Sequence, residues 1–165
     1  MKYSGLILND FTAAPGVSVT FFSQGCPFRC KGCHNPESWD FEGGKEFTNE
    51  TLETIIAGLT ANGVKRNLAI MGGEPLCDEN IFLTVLVINE VKRRLPDVQI
   101  YVWTGYVYED LLKKESNIRI KTILDNVTCI IDGPYIEELR DTTLPMRGSS
   151  NQRIIYLPKG GEKID

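Results

Sequence analysis

Short apolar runs rich in β-branched and aromatic residues alternate along this chain with longer runs of helical period. That alternation excludes an all-helical bundle and an all-strand sandwich. Val17–Ser23 reads as a strand leading to Gly25. Thr51–Asn62 reads as a helix, with Leu52, Ile55, Ile56 and Leu59 on one face and Thr48 available as N-cap. Asn67–Met71 is a short apolar strand ending in Gly72-Gly73, and Glu79–Leu95 is a second helix stopped by Pro96. The pattern repeats with a strand at Val98–Trp103, a short helix at Tyr108–Lys114, a strand at Val127–Ile131 and a last short strand at Arg153–Leu157. It predicts βαβ crossovers and a mainly parallel sheet. The chain has 165 residues, which suits one domain over residues 1–165. A full eight-unit barrel needs roughly 200 residues or more. The expected fold is therefore α/β, an open partial (β/α) barrel.

Four of the expected strands run out into chemically distinctive segments: Gly25-Cys26, Gly72-Gly73-Glu74, Thr104-Gly105 and Asp132-Gly133. Ligand sites of parallel α/β sheets lie at the carboxyl ends of the strands, so these segments are expected to converge on one site.

The five cysteines are Cys26, Cys30, Cys33, Cys77 and Cys129. An odd count, with three of them inside eight residues, is a poor disulfide framework and reads as metal binding. Thiolates are soft ligands suited to iron–sulfur clusters, zinc or copper(I). A 4Fe–4S cluster ordinarily takes four cysteines. Three local ligands leave one iron open, unless Cys77 or Cys129 supplies the fourth. Two other readings compete. Cys30-Lys31-Gly32-Cys33-His34 fits the pattern of covalent haem attachment, although that leaves Cys26 unused. A zinc site of three cysteines and His34 is chemically reasonable, but His34 adjoins Cys33 and would share one tetrahedron with it only with difficulty.

Gly72-Gly73 lets the backbone approach a ligand with no Cβ in the way, and Pro75 fixes the following turn. Glu74, held there, can accept hydrogen bonds from an ammonium group. Cys129 reads as core, and Cys77 as an ordinary buried cysteine. The formal net charge is −4, and no long Lys/Arg run exists to neutralise phosphates, which argues against a nucleic-acid partner. The longest apolar run, Ile81–Ile88, is interrupted by Thr84 and falls far short of a membrane span. With no signal peptide visible, a cytoplasmic protein is expected.

Through Cys26, Cys30, Cys33 and Gly72-Gly73-Glu74-Pro75 the chain resembles the radical S-adenosylmethionine superfamily. Within it, the chain is most similar to the activating proteins of anaerobic ribonucleoside-triphosphate reductase. The segments that carry this closer likeness are 33–39, 103–106, 131–135 and 147–153 (RGSSNQR), which span most of the chain. The resemblance implies a 4Fe–4S cluster on Cys26, Cys30 and Cys33, with one open iron for the amino and carboxylate groups of S-adenosylmethionine. Glu74 and the backbone of Gly72 and Gly73 would bind the methionine amino group. Backbone around Gly32, Cys33 and His34 would meet adenine, and Thr104 and Asp132 the ribose.

The implied activity is reductive cleavage to a 5′-deoxyadenosyl radical, which creates a glycyl radical on the partner reductase. A low-potential donor such as flavodoxin or ferredoxin would supply the electron. Two positions depart from relatives. Gly32 stands where the superfamily often has an aromatic residue near adenine, and Pro134 stands where the formate-lyase activases have a lysine. Arg147 and Arg153 flank a Gly-Ser-Asn stretch and would either clamp a carboxylate or dock the reductase. The alternatives are an activase of another glycyl radical enzyme, of the formate-lyase type, and a non-catalytic iron–sulfur or zinc protein.

Overall fold

The computed structural model describes residues 1–158. It shows one seven-stranded sheet in the order β3-β1-β2-β4-β5-β6-β7. The strands are β1 Lys2–Asp10, β2 Ser18–Ser23, β3 Lys45–Glu46, β4 Asn67–Gly72, β5 Ile100–Trp103, β6 Cys129–Asp132 and β7 Arg153–Tyr156. The helices are α1 Asn49–Thr60, α2 Ile81–Arg94, α3 Tyr108–Leu112 and α4 Ile118–Asn126. Strands β2, β4, β5 and β6 form the parallel centre of the sheet. Strand β1 runs antiparallel to both β2 and β3, and β7 antiparallel to β6. The sheet is open, because β3 and β7 stand at opposite edges.

Strand β1 lies where the sequence shows only an apolar patch, Leu6-Ile7-Leu8. Its pattern is poor because both Ile7 and Leu8 are exposed, and its pairing with β2 is interrupted by register shifts at Tyr3/Gly5 and Ile7/Asp10. Helix α4 also goes unannounced. It is short, it carries β-branched isoleucines that are weak helix formers, and it gains its place by burying Ile120 and Ile123 beside α2. Helix α1 begins as expected at Thr48. The Thr48 hydroxyl accepts from Thr51 N, and Thr51 Oγ1 accepts from Thr48 N, satisfying two donors that the first turn leaves without helical partners.

Parallel register sets alternate residues on opposite faces of the sheet. Phe21, Ile70, Val102 and Ile130 face each other across four strands and are fully buried in the main apolar cluster. That cluster takes in Ile55 and Leu59 of α1, Val87, Ile88 and Val91 of α2, and Ile120 and Ile123 of α4, so the helices cover this face. On the other face a smaller cluster joins Tyr101, Cys129 and Ile131 with Trp103, Met146 and Ile154. Beside it opens a cavity bordered by Phe22, Met71 and Trp103. No helix among the described residues is long and apolar enough to cross a membrane.

Candidate functional site

The β2/β4 register carries the cysteine loop and the glycine pair into contact. Ser23 lies opposite Gly72, and the ladder continues past the strand ends. Gly73 N donates 2.9 Å to Ser23 O, and Glu74 N donates 2.9 Å to Gly25 O. The approach is close enough to require glycine. A Cβ on residue 73 would lie 2.3 Å from Gly25 O, and one on residue 25, where φ is +98°, would enter the Phe41 ring.

The cysteine loop is shaped by its own bonds. Gly25 N donates to Ser38 O, Cys26 N to Trp39 O and Cys33 N to Cys30 O. Gln24 Nε2 gathers the returning chain through Glu37 O and Asp40 O. The loop is also anchored to the end of β5. Phe28 packs edge-on against Tyr106, with ring centroids 5.0 Å apart, and sits where a Cβ on Gly105 would be 2.8 Å away.

Glu74 joins the ends of β4 and β5. It is 1% exposed. Its Oε1 accepts from Leu76 N at 2.9 Å and from Thr104 Oγ1 at 2.8 Å, and its Oε2 accepts from Gly105 N at 2.6 Å. Burial pushes its carboxyl up to about 7, against the opposing pull of these hydrogen bonds. A carboxylate has about four acceptor sites, so one remains, on Oε2, and Glu74 lines the cavity. Behind it Asn80 Nδ2 donates to both Gly25 O and Glu74 O.

The cavity holds about 690 Å³ and is lined by Cys26, Cys30, Cys33, His34, Gly72, Gly73, Glu74 and Thr104. Of the residues to which the resemblance gives a part in holding the cluster or S-adenosylmethionine, only Gly32 and Asp132 are absent from its wall. Gly32, at φ +78°, packs on Glu137, where a Cβ would be 1.8 Å from the carboxylate. Asp132 is 1% exposed and turned to its own chain, accepting from Tyr108 N at 2.8 Å and from Arg153 Nε at 3.1 Å. Thr104 borders the cavity while its hydroxyl is donated to Glu74.

Burial pushes the Cys26 and Cys30 thiols up, an effect that a bound metal reverses by deprotonating its ligands. Cys77 and Cys129 are buried at 2% and 0% exposure and lie off the cavity wall. Burial pushes their thiols up to about 12 and about 11. No three His, Cys, Asp or Glu side chains among the described residues are grouped to hold a single metal ion. A four-iron cluster is attached at separate corners, so its cysteines stand further apart than the donors of one tetrahedral ion. Cys26, Cys30 and Cys33 all line the cavity, a set of soft thiolate donors of the kind that suits an iron–sulfur cluster.

Two further residues, Tyr135 and Met146, had no role assigned from the sequence. Tyr135 reaches the loop from the segment after β6. Its ring lies 5.8 Å from that of His34, and its hydroxyl donates to Glu137. Met146 lines the cavity at φ +59°, and its carbonyl accepts the Trp103 indole N–H at 2.8 Å. Trp103 thus holds the cavity rim. Of the two arginines, Arg153 clamps carboxylates of its own chain, Asp132 and Glu109, whereas Arg147 lines the cavity.

A family model described as a 4Fe-4S single cluster domain matches residues 13–155, which places the chain among single-cluster iron–sulfur proteins. It is similar to the anaerobic ribonucleoside-triphosphate reductase-activating protein of Haemophilus influenzae, at 36% identity over 93% of this chain and 97% of that one. The protein of the same name from Salmonella typhimurium is 32% identical over 95% of this chain and 99% of its own length. That of enterobacteria phage T4 is 34% identical over the whole of both chains. The chain belongs to the anaerobic ribonucleoside-triphosphate reductase-activating protein family.

Proposed function

We propose that this chain is a cytoplasmic radical S-adenosylmethionine activase, a single domain over residues 1–165 whose open sheet is a partial (β/α) barrel, and that its partner is an anaerobic ribonucleoside-triphosphate reductase. The observation that carries the reading is the convergence of Cys26, Cys30 and Cys33 with Gly72, Gly73 and Glu74 on one cavity. A bound cluster would supply the single electron, with a flavodoxin- or ferredoxin-like protein as its donor, for reductive cleavage of S-adenosylmethionine to methionine and a 5′-deoxyadenosyl radical, which would take one hydrogen atom from a backbone glycine of the partner.

The protein's part is binding, orientation and exclusion of water. Cys26, Cys30 and Cys33 would hold the cluster, leaving one iron without a protein ligand. Gly72 and Gly73 bring the β4 backbone against the ligand. The remaining acceptor site on Glu74 Oε2 takes the methionine ammonium, and a cation there favours the charged carboxylate against its burial. Backbone at Cys33 and His34 lies beside adenine, with Gly32 shaping that turn. Thr104 borders the ribose, and Asp132 supports the ribose side by holding Tyr108 N and Arg153 in place.

The test is anaerobic reconstitution with iron and sulfide, followed by S-adenosylmethionine and dithionite. Release of 5′-deoxyadenosine, and a glycyl radical by electron paramagnetic resonance once the reductase is added, are the expected results. A protein that binds four irons yet releases no 5′-deoxyadenosine is an electron carrier.

A further inference from the structure

Asn80 precedes the first residue of α2, a position where an asparagine side chain commonly accepts a hydrogen bond from the helix's first turn. Here it makes no cap bond. The side chain points away from the helix, and the residue is 7% exposed. Its Nδ2 donates 3.0 Å to Gly25 O and 2.9 Å to Glu74 O. An amide nitrogen has two N–H groups, and each meets a carbonyl of a different motif. One belongs to the residue before Cys26, the other to the acid of the Gly-Gly-Glu turn. Gly25 O also accepts Glu74 N, so the two segments are fastened by the backbone from one side and by Asn80 from another.

We propose that Asn80 is a positioning residue that sets the spacing between the cysteine loop and the Gly-Gly-Glu turn. This rests on the reading that S-adenosylmethionine binds across those two motifs. Asn80 touches neither cofactor. It acts through Gly25 and Glu74, fixing how far the methionine end of the ligand lies from the cluster. Asn80 has helical backbone angles, φ −102° and ψ −20°, and the N–H groups of Asn80 and Ile81 are met by Cys77 O, so its side chain has no capping role and serves the two carbonyls instead.

Two variants test it. Asn80→Ser keeps a small polar side chain that is too short to bond both carbonyls. Asn80→Asp keeps the shape and removes both donors. Each is reconstituted alongside wild type and measured for iron and sulfide, thermal midpoint, S-adenosylmethionine affinity by calorimetry, and the spectrum of the reduced cluster with and without the ligand. In Asn80→Ser, iron content and the ligand-free spectrum are expected to match wild type. Affinity should fall by about tenfold, as for loss of one buried hydrogen bond, and the ligand-induced change in g values should differ. Asn80→Asp should show the larger loss of affinity.

Wild-type affinity and wild-type spectral change in both variants overturn the assignment. So does an Asn80→Ser protein that loses its iron or melts early, because Asn80 then supports the fold and not the spacing. If wild type binds the cluster but shows no response to S-adenosylmethionine, the radical reading itself falls and takes this assignment with it.

Discussion

On the helix-covered face of the sheet, Phe21, Ile70, Val102 and Ile130 meet side by side and are sealed under α1, α2 and α4. One residue further along β2, β4 and β5, Phe22, Met71 and Trp103 border a cavity. The two faces share every backbone hydrogen bond of the sheet, yet they are held by different forces. The helix face is held by burial of apolar area, which is non-directional and tolerant of small adjustments. The cavity face is held by directed bonds to buried polar groups, Glu74, Asn80, Thr104 and Asp132, and by glycines where a Cβ would collide. A packed face can be built from many residue combinations. An open face keeps its shape only if each polar group behind it is satisfied.

The largest expected effect separates the cysteines by face and position. Replacing Cys26, Cys30 or Cys33 by alanine should abolish a stable four-iron cluster, while Cys77→Ala and Cys129→Ala should retain it. Iron and sulfide analysis of the five anaerobic proteins decides this. Loss of the cluster in Cys77→Ala would break the comparison, because a residue sealed at 2% exposure would then belong to the site.

Neighbouring phenylalanines give the next contrast. Phe21 is fully buried and packs with Tyr3 and Phe47 at ring separations of 5.8 and 6.0 Å. Phe21→Ala should destabilise the fold by about 3–5 kcal/mol. Phe22→Ala, on the half-buried cavity face, should cost under about 2 kcal/mol. Denaturant unfolding of the two proteins compares them, and equal losses would mean that the cavity face is packed as tightly as the other.

Glu74→Gln probes the directed bonds. Glutamine keeps the volume but has one acceptor oxygen where the carboxylate has two, so the donors from Leu76, Thr104 and Gly105 can no longer all be met. The cluster should persist, and S-adenosylmethionine affinity should fall roughly ten- to more than a hundredfold, about 1.5–3 kcal/mol for a charge-assisted bond. Unchanged affinity by calorimetry would remove Glu74 from the ligand site.

The helix-covered face was legible in the sequence because apolar periodicity reports burial. The strands at 67–72 and 100–103 and the helix begun by Thr48 all followed from it. Strand β1 escaped because two of its apolar residues, Ile7 and Leu8, are exposed and its acid, Asp10, is buried, where it accepts bonds from Thr12 and Thr20. On the cavity face the motifs anticipated that their segments meet at one cavity, but not what each side chain touches. Glu74 and Thr104 bond to each other across two strand ends. Asp132 is held by Arg153, 21 residues away, and Tyr135 meets His34 only after the chain has returned. Such pairings depend on which strands become neighbours, and residue spacing along the chain does not encode that.

The smallest effects separate two arginines that the sequence treats alike. Arg153 donates to Asp132, buried at 1% exposure, and forms paired bonds with Glu109 at 2.9 and 2.6 Å. Removing it leaves a buried carboxylate with Tyr108 N alone. Since the arginine itself is 46% exposed, the expected loss is about 2 kcal/mol, below that of a fully buried pair. The pair also gives the loss a pH signature. Arg153 draws the Glu109 carboxyl from 4.5 down to about 2. A carboxyl lowered on folding stabilises above its unfolded value, and that share is lost as pH falls through the folded one. The stability gap between wild type and Arg153→Ala should therefore be full above about 4.5 and narrow towards about 2. Arg147 instead bonds the carbonyls of Pro145 and Gln152 and faces the cavity. Arg147→Ala should change stability by less than about 0.5 kcal/mol, and should lower glycyl radical formation on the partner more than 5′-deoxyadenosine release without it. For Arg153→Ala the two activities should fall together. If Arg147→Ala also lowers both in step, Arg147 serves the cofactor side of the cavity, and the partner docks elsewhere.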